Sequence, residues 1–266
     1  MSMEGGLRTS VDARGVATLT LCRPEVRNAL DRELLHGLTA AFRRLAADDR
    51  ARVIVLTGEG SSFCSGADRS MLIETLDYGE EENVRDALGW GALFRAIHEC
   101  PKPSVAMVNG PAVGGGVGLT AACDIAVAAD AAAFQVIEIR LGLVPSTMAP
   151  YLVSAIGARA AGRYFLTGER FGAREALRIG LVHEVVSKER LGAAVEEIAD
   201  ALRRGGPTAL ADAKRLIEFL RHAPLERETL EYSARKFAER RSTEEGREGI
   251  RAAFERRPPP WCEGPS

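Results

Sequence analysis

Five glycines crowd into nine residues of the stretch GPAVGGGVGLTAACD at 110–124, directly after the strand-like run SVAMVNG. A phosphate loop of the Walker type needs Lys-Ser/Thr after its last glycine. Here Gly110-PAVG-Gly115 is followed by Gly116-Val117, so no lysine is placed to neutralise phosphate. A relaxed dinucleotide fingerprint, GxGxxA, does match Gly116, Gly118 and Ala121. That fingerprint joins the first strand of a βαβ unit directly to its helix. This match lies six residues beyond a strand that is at least the fourth in the chain. Two further readings stand beside this weak match. The glycines let a helix pack closely on a strand, or they leave backbone N–H groups exposed at a helix N-terminus, where these can donate to an oxyanion formed in a reaction.

The second reading demands a second donor, and SSFCSGADRS at 61–70 offers one. Its Gly66-Ala67 follows the run RVIVLTG much as Gly114-Gly115 follows SVAMVNG. Both segments come after the C-terminal ends of buried strands, where sites of α/β proteins usually lie. Taken alone, 61–70 also reads as an ordinary Ser/Gly surface loop.

The elements that would position these segments alternate between two periods. Residues 7–12 and 16–22 read as a hairpin turning at Arg14-Gly15. Asp31 reads as the cap of a helix to about Ala47, with Leu34, Leu35, Leu38, Phe42 and Leu45 at helical spacing. Strands are expected at 52–58, 104–110, 124–129 and 181–186, and a helix at 83–99. This alternation predicts an α/β core with mostly parallel pairing over 1–187. Beyond it the pattern is helical: 188–203, 206–221, 225–240 and 243–256, interrupted at Gly205-Gly206-Pro207 and Pro224. Such a run, closing near 257, is expected to dock on the core or on a neighbouring subunit. The tail 258–266, PPPWCEGPS, cannot continue a helix.

Composition excludes several function classes. The 266 residues are 46% hydrophobic and 27% charged, with a formal net charge of −2. That balance gives no bulk electrostatic case for nucleic acid or an anionic membrane. Apolar runs fall well short of the roughly 18 residues of a membrane span. The start, MSMEGGLRTSVD, has no basic-then-apolar signal pattern, and a cytoplasmic location is the expectation. Five dispersed cysteines without a CxxC pair, and four scattered histidines, speak against disulfides and against a metal site.

FCSGAD, PKPSVAMVNGPAVGGGVGL with AACDIAVAA, and FQVIEIRLGLVP, in that order and spacing, resemble the enoyl-CoA hydratase/isomerase (crotonase) superfamily. LCRPEVRNALD, LTGERFGAREALRIGLVHEVV and EGIRAAFERRPP extend the resemblance from about residue 7 to 257. It implies a crotonase-like spiral of ββα units with a helical C-terminal region, assembled as a homotrimer or homohexamer. The substrate it implies is an acyl-CoA thioester, so coenzyme A arrives with the substrate and no cofactor is required. The oxyanion donors of the family fall on the N–H groups of Ala67 and Gly115. Contacts to coenzyme A fall on Arg27 and Ala29, and on Ser65, Gly66, Asp68, Arg69 and Ser70. Gly114 is a further contact, and Arg256 matches a basic position that reaches coenzyme A in many relatives, sometimes from the adjacent subunit. Arg69 and Ser70 stand where relatives often carry an aliphatic residue and a lysine.

Many hydratases of this family use two glutamates. The second falls on Glu138, within the apolar run Val136-Ile137-Glu138-Ile139. Burial there would raise its pKa toward the range useful for proton transfer, unless Arg140 takes it into an ion pair. The position of the first is taken by Gly118, and no carboxylate lies between Gly110 and Cys123. Two carboxylates can hold a water for hydration, whereas one can shuttle a proton between carbons. The segment EIRLGLVPSTMAPYLVSAIGARAAGRYFLTGERF is similar to that of bacterial methylglutaconyl-CoA and isohexenylglutaconyl-CoA hydratases. Ser146 and Thr147 replace glycines of many relatives and imply a different acyl pocket. The leading expectation is therefore a 2-enoyl-CoA hydratase for a branched or unusual acyl group. The alternatives are a Δ3,Δ2-enoyl-CoA isomerase and a non-catalytic acyl-CoA binder.

Overall fold

The residues of the central strands divide by parity between two apolar layers. In the computed structural model, which describes residues 2–262, all six positions of the strand Val53–Gly58 are buried. Val53 and Val55 face one cluster, with Val105, Val127 and the helix Leu191–Arg203. Ile54 and Leu56 face the other, with Ala106, Val108 and several further helices. Burial on both faces is what a parallel strand requires.

The strands are β1 (Ser2–Glu4), β2 (Leu7–Val11), β3 (Val16–Leu21), β4 (Val53–Gly58), β5 (Ser104–Val108), β6 (Ala112–Val113), β7 (Ile125–Ala129), β8 (Ala133–Gln135), β9 (Phe171–Gly172) and β10 (Glu184–Val186). Seven form one sheet in the order β1-β2-β3-β4-β5-β7-β10, antiparallel through β1-β2-β3 and parallel thereafter. The expected hairpin is present, and the α/β architecture with a parallel-rich sheet is as the sequence predicts. A second sheet, β6-β8-β9, was not legible, because its strands are only two or three residues long. LVHEVV joins β7 only from His183, whose N–H donates to Ala126 O at 2.8 Å: Leu181 and Val182 instead donate to Ala176 O, closing a preceding helix through Gly180 at φ +87°.

The helices are α1 (Arg32–Ala47), α2 (Arg69–Glu74), α3 (Glu80–His98), α4 (Gly115–Ala122), α5 (Ala149–Thr167), α6 (Ala173–Ile179), α7 (Leu191–Arg203), α8 (Pro207–His222), α9 (Arg227–Ser242) and α10 (Glu244–Glu255). Asp31 caps α1 as expected, accepting from Leu34 N at 2.8 Å. α2, α5 and α6 have no counterpart among the elements that the sequence pattern predicts. The C-terminal helices are tied together by polar groups. Glu245 of α10 caps α8 by accepting from Thr208 N (3.1 Å) and Ala209 N (2.9 Å), and Arg240 of α9 pairs with it at 2.8 Å. Lys214 pins α8 to the core through Asp124 at 2.7 Å. Of the tail, Pro260–Cys262 forms a 3-10 turn whose Trp261 carbonyl accepts from Arg52, and residues 263–266 lie outside the described residues. Among the described residues no helix is long and apolar enough to cross a membrane, and no cluster of side chains could hold a metal ion.

Candidate active site

A single-residue parallel bridge joins Leu30 to Ala67. Leu30 N donates to Gly66 O and Leu30 O accepts from Asp68 N, both at 2.8 Å. In a parallel ladder the residue between two such bonds points its own N–H the other way. Ala67 N–H is thereby turned from Leu30, and among the described residues nothing in the chain accepts from it.

The same segment is bound on its other side to 110–113. Phe63 N and Cys64 N donate to Pro111 O at 3.1 and 3.2 Å, and Val113 N donates to Cys64 O at 2.9 Å. Glycine makes this approach possible. A Cβ on Gly116 would run into the carbonyl oxygen of Cys64, and one on Gly66 would lie 2.8 Å from Val113 O and 3.2 Å from Gly115 N. Gly114, at φ +52°, turns the chain into α4. Gly115 is the first residue of α4, and first-turn amides have no partner within a helix. No other group among the described residues accepts from its N–H either. Both readings of the glycine run thus hold together: close packing is the means by which two orphan amides converge.

Glu138 opens the 3-10 turn Glu138–Leu141 after β8. Its Oε1 lies 3.1 Å from where a Cβ of Gly114 would stand, so the carboxyl sits beside the Gly114-Gly115 peptide. Its Oε2 is buried and has no hydrogen-bond partner, which sets it apart from every other described carboxyl. Burial pushes the Glu138 carboxyl above its ordinary pKa, opposed by the backbone amides of Glu138 and Ile137. No ion pair with Arg140 forms, and Glu138 Oε2 stays without a partner; the Arg140 side chain lies beside Gly168, its Cγ and Nε 3.2 Å from where a Cβ there would stand.

The position of the missing glutamate is filled. A Cβ on Gly118 would meet the Phe94 ring at 2.6 and 2.7 Å and Met148 Cβ at 2.8 Å. One turn earlier on α3, Trp90 lies across Gly115, its Cζ3 2.5 Å from a Cβ there. The Trp90 and Phe94 rings, centroids 6.0 Å apart, form an apolar wall along the glycine edge of α4.

The remaining candidates divide. Arg27 O accepts from Ser65 N at 3.0 Å, and Ser65 Oγ donates to Val26 O at 3.1 Å, which brings the 27–30 and 65–67 segments together. Ala29 is buried, and its carbonyl accepts from Arg23 Nη1 at 2.8 Å. Asp68 and Ser70 are engaged with one another: Asp68 Oδ1 accepts from Ser70 N (3.0 Å) and Ser70 Oγ (2.8 Å), capping α2, while Oδ2 pairs with Arg23 at 3.0 Å. These Ser70 bonds, then the Arg23 charge, hold the Asp68 carboxyl below its ordinary range. Arg69 is exposed at the start of α2. Arg256 is exposed at the end of α10 and forms no hydrogen bond or ion pair with the cluster. Sequence reasoning missed Asn28, Arg23, Trp90 and Phe94. The adjacency of Trp90 and Phe94 to the glycines exists only once α3 packs on α4.

A family model described as enoyl-CoA hydratase/isomerase matches residues 12–264. A Thermus thermophilus protein, provisionally named an enoyl-CoA hydratase, is 39% identical over 94% of this chain and 98% of its own length. The (E)-benzylidenesuccinyl-CoA hydratase of Thauera aromatica is 35% identical over 92% and 94%. The crystal structure of an enoyl-CoA hydratase from Shewanella pealeana superposes with a TM-score of 0.93 at 33% identity, covering 96% of each chain. With a family model spanning nearly its whole length and relatives of this identity around the same fold, the chain belongs to the enoyl-CoA hydratase/isomerase family.

Proposed function

We propose that the protein hydrates a 2-enoyl-CoA thioester of branched or unusual acyl structure. In this reading the N–H groups of Ala67 and Gly115 polarise the thioester carbonyl, and Glu138 alone handles the proton. The observation that carries it is the convergence of two amides without acceptors beside a buried carboxyl oxygen without a donor. Negative charge developing on the thioester oxygen would be met by both amides, and removing one such donor typically costs about 2.7–4 kcal/mol. Water adds its oxygen to the β-carbon while Glu138 delivers a proton to the α-carbon. Glu138 then recovers a proton from the added water and ends as it began.

Arg69, exposed and next to the Ala67 segment, suits a coenzyme A phosphate, and Arg27 suits its approach past Ala29. Arg256 would serve from a neighbouring subunit. Large apolar side chains exposed on the C-terminal helices, Phe237 (67%) and Phe254 (86%) among them, support a trimeric or hexameric assembly. The sequence EIRLGLVPSTMAPYL supports the branched acyl group, as does a relative named for (E)-benzylidenesuccinyl-CoA. Purified protein is incubated with crotonyl-CoA and with 3-methylglutaconyl-CoA, and the conjugated thioester absorbance is followed. Loss of absorbance, faster with the branched substrate, is expected; no change with any 2-enoyl-CoA overturns the proposal.

The sealed position at Gly118 favours a second reading, isomerisation of a 3-enoyl-CoA. Glu138 would take the α-proton and return it to the γ-carbon, a task for one carboxylate. Hydration incorporates ¹⁸O from labelled water into the product, and isomerisation does not.

A further inference from the structure

The two amides can act together only if the segments that carry them keep a fixed separation, and two asparagines meet on one carbonyl between those segments. Asn28 is fully buried and held at φ +56°, a backbone state that asparagine tolerates better than most residues. Its Oδ1 accepts from Arg23 N at 2.9 Å, and its Nδ2 donates to Glu59 O (3.0 Å) and Ser62 O (2.8 Å). Asn109, at the exit of β5, accepts from Gly58 N at 3.2 Å and donates to Gly60 O (3.2 Å) and Ser62 O (3.4 Å). The Ser62 carbonyl therefore joins three strands of chain. One continues through Cys64 to Ala67. One leads from Asn109 to Gly115. The third runs from Asn28 to Leu30, whose bridge aims Ala67 N–H.

The turn has no slack to absorb a loss. A Cβ on Gly58 would meet the carbonyls of Ser62 and Phe63, and one on Gly110 would meet that of Ser61. Without its asparagine donors the turn could satisfy its carbonyls only by moving, and a displacement of about 1 Å in a catalytic geometry can cost on the order of 10²-fold.

We infer that Asn28 and Asn109 are positioning residues that set the spacing of the Ala67 and Gly115 amides. The inference rests on the proposed oxyanion role of those amides. Asn109→Asp and Asn28→Asp keep size and the Oδ1 acceptor but remove the Nδ2 donors. Each is compared with the wild type by thermal unfolding, by kcat and KM on crotonyl-CoA, and by the absorbance of a bound aryl-acryloyl-CoA. That chromophore shifts to longer wavelength when its thioester carbonyl is polarised. For folded Asn109→Asp, the red shift should be reduced and kcat should fall on the order of 10- to 100-fold, with KM changing much less. Asn28→Asp should behave alike, and Asn109→Ser provides a smaller substitution should either fail to fold. A folded variant with wild-type red shift and kcat overturns the inference. If the wild type itself binds the chromophore without a red shift, the oxyanion reading fails instead.

Discussion

Replacing Gly66 by alanine should separate folding from catalysis. Gly66 lies at φ +85°, and its missing side chain is what allows Val113 O and Gly115 N to approach. A left-handed backbone costs a non-glycine residue about 1–2 kcal/mol. For a chain of this size, at about 2–4 °C per kcal/mol, that cost lowers Tm by about 2–8 °C. The added methyl would also stand 2.8 Å from the Val113 carbonyl oxygen and 3.2 Å from Gly115 N. Backbone at Val113 cannot swing aside as a side chain could, so the two segments must part and one amide leaves its line to the thioester oxygen. Losing one such donor corresponds to about 10²–10³ in kcat. KM should change far less, because the contacts to coenzyme A proposed for 27–29 and Arg69 lie away from the substitution. The assay is the decay of crotonyl-CoA absorbance at saturation, beside thermal unfolding by circular dichroism. A folded Gly66→Ala protein with kcat within about threefold of wild type would refute the reasoning, since loss of one such donor typically costs about 10²–10³.

Three further outcomes follow from named contacts. A carboxyl whose folded pKa is raised keeps its proton longer in the folded state, so its contribution to stability falls as pH rises through the shifted range. Glu138→Gln should therefore raise Tm relative to wild type near about pH 8 and change it little near about pH 4, while kcat collapses; an equal Tm difference at both pH values contradicts the burial. Gly118→Glu should lower Tm by several degrees, because Phe94 and Met148 occupy the space its side chain needs. Adding Phe94→Ala should recover part of that loss, and a Gly118→Glu protein as stable as wild type would show the site is not sealed. Arg23→Met removes bonds to Asp31 (2.9 Å), Asp68 (3.0 Å) and Ala29 O, and should cost about 1–2 kcal/mol at neutral pH. Because the Asp68 carboxyl is held below its ordinary range, this contribution is present above that range and is lost as pH falls. The Tm gap between Arg23→Met and wild type should accordingly narrow in acid, and a gap that widens there refutes the pairing.

What could be read from residue types was what depends on local pattern. RVIVLTG and SVAMVNG announce strands because buried parallel strands leave nearly continuous apolar runs. Asp31 announces α1 because a cap is a local hydrogen bond. α3 begins at Glu80, three residues before the pattern predicts, since its first turn is acidic and solvated, with no apolar period to mark it. β6, β8 and β9 are too short to carry any period. In the candidate site, Ala67, Gly115 and Glu138 were singled out together from glycine chemistry and resemblance, and the fold gathers all three. Asp68 and Ser70 are expected to contact coenzyme A; in the fold Asp68 Oδ1 accepts from Ser70 and Asp68 Oδ2 pairs with Arg23. No spacing rule could reveal that, because Arg23 is 45 residues away in sequence and reaches Asp68 through a turn held at Asn28. The aromatic wall opposite Gly118 was invisible for the same reason.

Formation of an enolate at the α-carbon is common to hydration and isomerisation, so it tests the central claim apart from the choice between them. Butyryl-CoA in D₂O, followed by mass spectrometry, should gain deuterium at the α-carbon in the presence of the wild-type protein. With Glu138→Gln the exchange should slow by at least about 10²-fold, as for loss of a general base. Wild-type protein that binds butyryl-CoA without exchanging its α-protons, or a Glu138→Gln protein that exchanges them undiminished, would contradict the account.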